Sequence, residues 1–179
     1  MNIAVFCSAS ERIDEKYFNA AVRLGEWMAG EGHTLVFGGS NQGLMRCIFD
    51  SLHAKGGECI GVLPEKFEEG GRAIPDMDVL IHTPNIAERK ETMLDHSDVA
   101  VIMPGGIGTV DELFSTLVNI ALGYHDVKVV IYNIDGYWDK LLALFEDMRD
   151  RGTMHKQLDE LFSVATSHDE LTGILTQCK

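Results

Sequence analysis

Glu112 closes the run Pro104-Gly105-Gly106-Ile107-Gly108-Thr109-Val110-Asp111-Glu112, which brings three glycines, a threonine and two carboxylates close together. Glycines let a backbone turn sharply and approach a ligand closely. A helix that begins behind such a turn aims free N–H groups and the positive end of its dipole at whatever occupies it. The stretch is therefore a cradle for a phosphate. A carboxylate is an odd neighbour for an anion unless it has work to do, and Glu112 is a candidate for that work. The spacing Thr109-x-x-Glu112 also fits a capping box, in which the glutamate returns to a backbone N–H. The two readings stand side by side at this stage. Arg89 lies in the charge run Glu88-Arg89-Lys90-Glu91. It follows Ile86 by three residues and precedes Met93 by four, so on a helix it shares their apolar face. A guanidinium on an inward face needs an anionic partner, which Glu112 or a ligand phosphate supplies. The same run reads Lys90 and Glu91 as solvated.

These residues need elements to carry them. Val99-Ala100-Val101-Ile102-Met103 is unbroken apolar sequence, the pattern of a strand buried on both faces of a parallel sheet. Further strands are expected at Ile3–Cys7, His33–Phe37, Cys59–Leu63, Val79–His82, Lys128–Tyr132 and Phe162–Ala165. Helices are expected over Asp14–Gly30, Leu44–Lys55, from Asn85 as cap to about Ser97, Leu113–Leu122, Gly136 to about Arg151, and after the capping box Ser167-His168-Asp169-Glu170. This alternation predicts one α/β domain spanning residues 1–179, a Rossmann-like, doubly wound and mostly parallel sheet with helices on both faces. Ligands of such sheets sit beyond the carboxyl ends of the strands. Cys7–Ser10, Gly38–Gly43, Pro84–Ile86 and Pro104–Thr109 all follow strands and so converge on one edge. Pro64–Asp78 is the longest irregular stretch and the candidate flap.

Several functions are disfavoured. The chain carries 15 Lys and Arg against 28 Asp and Glu, a net charge of −13, which argues against nucleic acid or an anionic membrane as partner. Any phosphate must be held by local dipoles and single arginines against that field. Cys7, Cys47, Cys59 and Cys178 show no paired spacing, as in a reduced, cytoplasmic protein. No metal-ligand spacing, signal peptide or membrane span is expected, and no resident cofactor. Gly38–Gly43 is followed by Leu44-Met45 rather than Lys-Ser/Thr, so it is not a P-loop. No GxGxxG follows the first strand. Tyr137, Trp138, Met28, Met45 and Met148 read as packing residues, with an interface as the alternative for the two aromatics.

The chain resembles the Lonely Guy family of cytokinin-activating enzymes over roughly Asn2 to Gly152. PGGxGTxxE is intact at Pro104–Glu112, Arg-Lys-x-x-Met stands at Arg89–Met93, and Gly38-Gly39 with Gly43-Leu44-Met45 and Asn133–Tyr137 also fit. The resemblance implies a homodimeric phosphoribohydrolase that cleaves the N-glycosidic bond of a nucleoside 5′-monophosphate, releasing an adenine-type or cytokinin base and ribose 5-phosphate. Arg89 and Glu112 are then the catalytic pair, and Gly105, Gly106, Gly108 and Thr109 hold the phosphate. Ser8, Gly39, Ser40, Glu88 and Lys90 are the other expected nucleotide contacts, and Arg89 is expected to lower the pKa of Glu112. Three places depart from the pattern: Cys7-Ser8-Ala9-Ser10, Ser40 with Arg46, and Ile86-Ala87. They bear on the base more than on the reaction. Members are often labelled lysine decarboxylases, a label that the sequence gives no pyridoxal-phosphate lysine to support. The alternative function is a nucleotide- or pterin-cofactor-binding carrier of the same fold with no turnover.

Overall fold

The inner apolar runs form strands buried on both faces, whereas the two edge strands, Val79–Thr83 and Ser163–Ala165, are partly exposed. β1 (Asn2–Phe6), β2 (Thr34–Phe37), β3 (Cys59–Pro64), β4 (Val79–Thr83), β5 (Val99–Ile102), β6 (Lys128–Tyr132) and β7 (Ser163–Ala165) make one sheet in the order β4-β3-β2-β1-β5-β6-β7. The computed structural model describes residues 1–68, 71, 73–75, 77–154 and 156–178. Every ladder between the named strands is parallel, and β1 and β5 pair in the register Ile3↔Val99 through Phe6↔Ile102. The helices are α1 (Glu15–Gly30), α2 (Gly43–His53), α3 (Glu65–Glu68), α4 (Ile86–Asp95), α5 (Ile107–Leu122), α6 (Asp139–Asp150), α7 (Leu158–Leu161) and α8 (His168–Gln177). Alternate strand residues enter two cores. Ile3, Val5, Phe37 and Val101 pack with Leu24, Ile48 and Leu171 of α1, α2 and α8. Ala4, Phe6, Val36 and Ile102 pack with Met93, Leu113 and Phe145 of α4, α5 and α6. The doubly wound fold is as expected, and the order reverses between β1 and β5, where ligands of such sheets bind.

Two local expectations change. The helix carrying the glycine motif begins at Ile107, not at Leu113, with Gly106 as its N-cap in an extended conformation and no side chain capping it. Thr109 is therefore inside the helix and Glu112 is a turn further on, so the capping-box reading of this pair fails. The reason is steric: Gly105 has no Cβ, and one there would stand 2.1 Å from Thr109 Oγ1, so the turn closes tightly enough to start the helix early. Asn85 and Ser167 do cap α4 and α8, accepting from the N–H groups of Glu88 and Glu170. The stretch Pro64–Asp78 is less irregular than expected. Pro64 ends β3 and α3 follows it, while Ile74 donates its N–H to the Gly39 carbonyl at 3.1 Å and Ser40 bridges to Ala73. Residues 69, 70, 72 and 76 of the candidate flap lie outside the described residues.

Candidate active site

Arg89 leaves α4 inward, as its spacing requires, and crosses the carboxyl end of the sheet. Its Nε donates to the Val62 carbonyl at 3.1 Å and its Nη1 to Glu112 Oε1 at 2.8 Å. The two side chains are 12% and 11% exposed. Gly38 makes the crossing possible, because a Cβ there would lie 1.8 Å from Arg89 Nη2. The partner left open by the sequence is thus Glu112. Burial pushes the Glu112 carboxyl above its ordinary range, with Arg89 opposing. Arg89 lowers this pKa as expected, but the net shift is upward, because the carboxyl loses more hydration than a single guanidinium restores.

The turn beside the pair is stitched to the rest of the edge. Ser8 donates its N–H to the Pro104 carbonyl at 3.1 Å, Leu44 donates to the Ser8 carbonyl at 2.9 Å, and Ser8 Oγ accepts from the N–H of Ser10 at 3.0 Å. Gly43, at φ +58°, lies so close to the first loop that a Cβ would sit 2.5 Å from the Ala9 carbonyl carbon. The start of α2 at Gln42, like that of α5 at Gly106, has no side-chain cap. Both helices open on a cavity of about 460 Å³. A helix start without a cap leaves donors for a ligand, and the positions where Cβ atoms would stand at Gly106 and Gly108 are open space.

Of the expected site residues, Ser8, Ser40, Arg89, Gly106, Gly108, Thr109 and Glu112 line this cavity. Gly105 sits behind it, packed on Thr109. Gly39, at φ +64°, shapes the second loop against Met77 rather than facing the cavity. Glu88 is exposed and accepts from Asn85 Nδ2 at 3.1 Å. Lys90 turns to α5, where its ammonium meets both carboxylate oxygens of Asp111, at 2.9 and 2.8 Å, and Ser115 Oγ at 2.8 Å. It is neither solvated nor at the cavity wall. Of the departures from the family pattern, Ile86 lines the cavity, whereas Arg46 pairs with Asp50 at 2.7 Å. Gln42 belongs to the Gly38–Gly43 loop expected at this edge, whereas Met45, read as packing, and Leu63 were not foreseen in the wall. Gln42 and Met45 flank the start of α2, and their place at a strand's carboxyl end was the available signal. Tyr137, read as a packing residue, donates its hydroxyl to the Gly105 carbonyl at 2.7 Å. Among the described residues no cluster of side chains has the makings of a metal site.

Residues 45–175 match the family model described as possible lysine decarboxylase. The chain is also 37% identical over 150 residues to the cytokinin riboside 5′-monophosphate phosphoribohydrolase of Mycobacterium tuberculosis, covering 84% of this chain and 80% of that one. The chain belongs to the Lonely Guy family. The Arabidopsis thaliana member LOG3, named as the same activity, is 31% identical over 178 residues, 98% of this chain and 81% of that one. Decarboxylation through pyridoxal phosphate uses a Schiff-base lysine, and no described lysine lines this cavity. Among solved structures, the molybdenum cofactor binding protein of Rippkaea orientalis superposes with a TM-score of 0.75 at 23% identity, covering 98% of this chain and 95% of that one. The molybdenum cofactor carrier protein of Chlamydomonas reinhardtii does so at 0.72 and 26%, covering 99% and 96%. The fold is thus shared between named enzymes and named carriers, and the site must decide between the two.

Proposed function

We propose that this Lonely Guy protein is a nucleoside 5′-monophosphate phosphoribohydrolase, which hydrolyses the bond between C1′ of ribose and an adenine-type or cytokinin base. The observation that carries the reading is the buried Arg89–Glu112 pair, in the same cavity wall as the uncapped start of α5. The cradle of Gly105, Gly106, Gly108 and Thr109 grips the 5′-phosphate and uses that remote binding energy to set the ribose against Glu112. As the C1′–N bond breaks, positive charge develops on the sugar, and the Glu112 carboxylate stabilises it and orients a water. The water oxygen bonds to C1′, its proton goes to solvent or base, and the base leaves with the bonding pair. Arg89 holds the carboxylate in place and ionised. Ser8 and Ser40 offer hydroxyls to the nucleotide from the same wall, with Gly39 shaping the loop of Ser40, while Lys90 ties α4 to α5 and Glu88 accepts from the Asn85 cap at the start of α4. The names of the relatives from Mycobacterium tuberculosis and Arabidopsis thaliana support the same activity.

The protein works as a cytoplasmic homodimer in this reading, with neither nucleic acid nor membrane as partner and no resident cofactor. In support, Val118, Ala121 and Leu122 leave the apolar α5 exposed on its outer side, the first and last of these at 52% and 67%. No described helix is long and apolar enough to cross a membrane. A carrier of the same fold has no use for a carboxylate buried beside a phosphate cradle. Incubation with AMP and with adenosine at equal concentration tests the proposal. Free adenine and ribose 5-phosphate are expected from AMP, with far slower release from adenosine. An active-site preparation that binds AMP and releases no adenine would leave the carrier function instead.

A further inference from the structure

Tyr137 has no place in the chemistry above, yet it reaches the motif that does. It sits at the end of a 3-10 turn, Ile134–Gly136, that follows β6. Its hydroxyl donates to the carbonyl of Gly105 at 2.7 Å, across 32 residues of sequence. Its ring is fixed from two sides. Tyr17 of α1 meets it edge-on at 5.5 Å and 78°, and Trp138 at 4.7 Å and 89°. Tyr17 in turn lies under the ammonium of Lys16, which pairs with Asp135 in the 3-10 turn itself. Asp135 holds a left-handed backbone, φ 52°, the only non-glycine among the described residues to do so. Such a conformation persists where its surroundings over-determine it, so the turn bearing Tyr137 is held in place rather than passively packed.

The bond matters because of the peptide it grips. Gly105–Gly106 is a peptide between two glycines, with no Cβ on either side to resist rotation of its plane. The bond is trans, so its carbonyl and its N–H point in opposite directions. A carbonyl fixed toward Tyr137 turns the Gly106 N–H to the other side of the turn, and Gly106 lines the cavity there. We infer that Tyr137 is a positioning residue for the phosphate site: it locks the orientation of the Gly105–Gly106 peptide so that the N–H of Gly106 is presented to the substrate's 5′-phosphate. The hydroxyl, the peptide and the phosphate then form one chain of hydrogen bonds, each polarising the next. This rests on the phosphate-first reading of the site but not on turnover, since a nucleotide carrier would use the same lock.

The test is Tyr137→Phe, which keeps the ring contacts and removes one hydrogen bond. Calorimetric titration, in protein that also carries Glu112→Gln to prevent turnover, measures binding of AMP and of adenosine with and without Tyr137→Phe, beside the melting temperatures. We expect affinity for AMP to fall about five- to tenfold, the worth of one neutral hydrogen bond, with adenosine affinity unchanged and the melting temperature lower by no more than about 2–4 °C. Equal losses for AMP and adenosine would mean a general packing role and overturn the inference, as would an unchanged AMP affinity. A parent that prefers AMP no more than adenosine overturns it too, for there is then no phosphate site to shape. Failure of the parent to release adenine, with the AMP preference lost in Tyr137→Phe, would remove the hydrolase reading and leave the lock standing.

Discussion

Glu112→Gln separates the catalytic role of Glu112 from a purely structural one. Gln has nearly the same shape and keeps an oxygen that can accept from Arg89 Nη1, now 2.8 Å away. What it removes is the negative charge. Taking one partner from a buried ion pair costs about 3–5 kcal/mol, because the other charge is left uncompensated. A retained hydrogen bond from a charged donor returns about 1.5–3 kcal/mol of that. The net loss in stability is therefore about 1–3 kcal/mol, or roughly 2–12 °C in melting temperature for a chain of this size. The rate should fall much further, by about 10²-fold or more, because the charge that faces the developing oxocarbenium is gone. The assay is adenine release from AMP at a temperature well below the variant's melting transition, with circular dichroism to verify the fold. Arg89→Ala should lose a similar factor in rate, and the double variant should be hardly worse than either single, since the pair acts as a unit. A folded Glu112→Gln protein that turns over AMP at the parent rate would refute the reasoning.

Three further outcomes follow from the geometry. The acid limb of the pH–rate profile should lie above the ordinary glutamate value of 4.5, because burial raises Glu112 and the ionised form is the active one. The sign for stability is opposite: a raised folded pKa favours the folded state at low pH and loses that contribution as pH rises through it, so acidification should abolish activity while the contribution of Glu112 to stability increases. A limb at or below the ordinary value would contradict this. Gly38→Ala places a Cβ 1.8 Å from Arg89 Nη2, and should cut the rate about 10²-fold by displacing the guanidinium without altering either member of the pair; an active Gly38→Ala variant would show that the arginine's position is not critical. Sedimentation at micromolar concentration should give a dimer in the parent, and Leu122→Glu on the exposed face of α5 should give monomers; a monomeric parent would leave that face without its proposed partner.

The sheet was legible because its five inner strands are apolar on both faces and nearly all buried. Lys128–Tyr132 has the expected limits, and the other six strands begin and end within a residue or so of them. The inward turn of Arg89 was legible too, from Ile86 and Met93 on either side. The start of α5 was not. Its cause is the packing of Thr109 on Gly105, a contact inside the turn that no periodicity expresses. The fate of Lys90 was hidden for a related reason, since the residues that hold it, Asp111 and Ser115, belong to another helix. Tyr137 needed a partner 32 residues away. Spacing tells which face of an element a residue occupies. It does not tell what another element brings to that face, and at a site assembled from four loops that is most of the geometry.

The energetics of the pair bear on why it exists. Ionised side chains withdrawn from water are stabilised by each other less than they are penalised by lost hydration, and apolar residues of similar volume serve a fold as well or better. Here the chain accepts further constraints for the sake of Arg89: a glycine at position 38 to let it pass, and the Val62 carbonyl turned to receive it. A carrier that needed only a phosphate cradle would gain stability by dispensing with all of this. The double replacement Arg89→Met with Glu112→Leu puts that argument to a direct test. Its volume is close to that of the pair and its polar atoms are gone, so the variant should unfold at the same temperature as the parent or higher, by up to about 1–4 kcal/mol. AMP should still bind through the uncapped start of α5, and adenine release should fall to background. A marked loss of stability in this variant would mean that the ion pair holds the fold together, and the case for a pair kept for chemistry would lose its energetic ground.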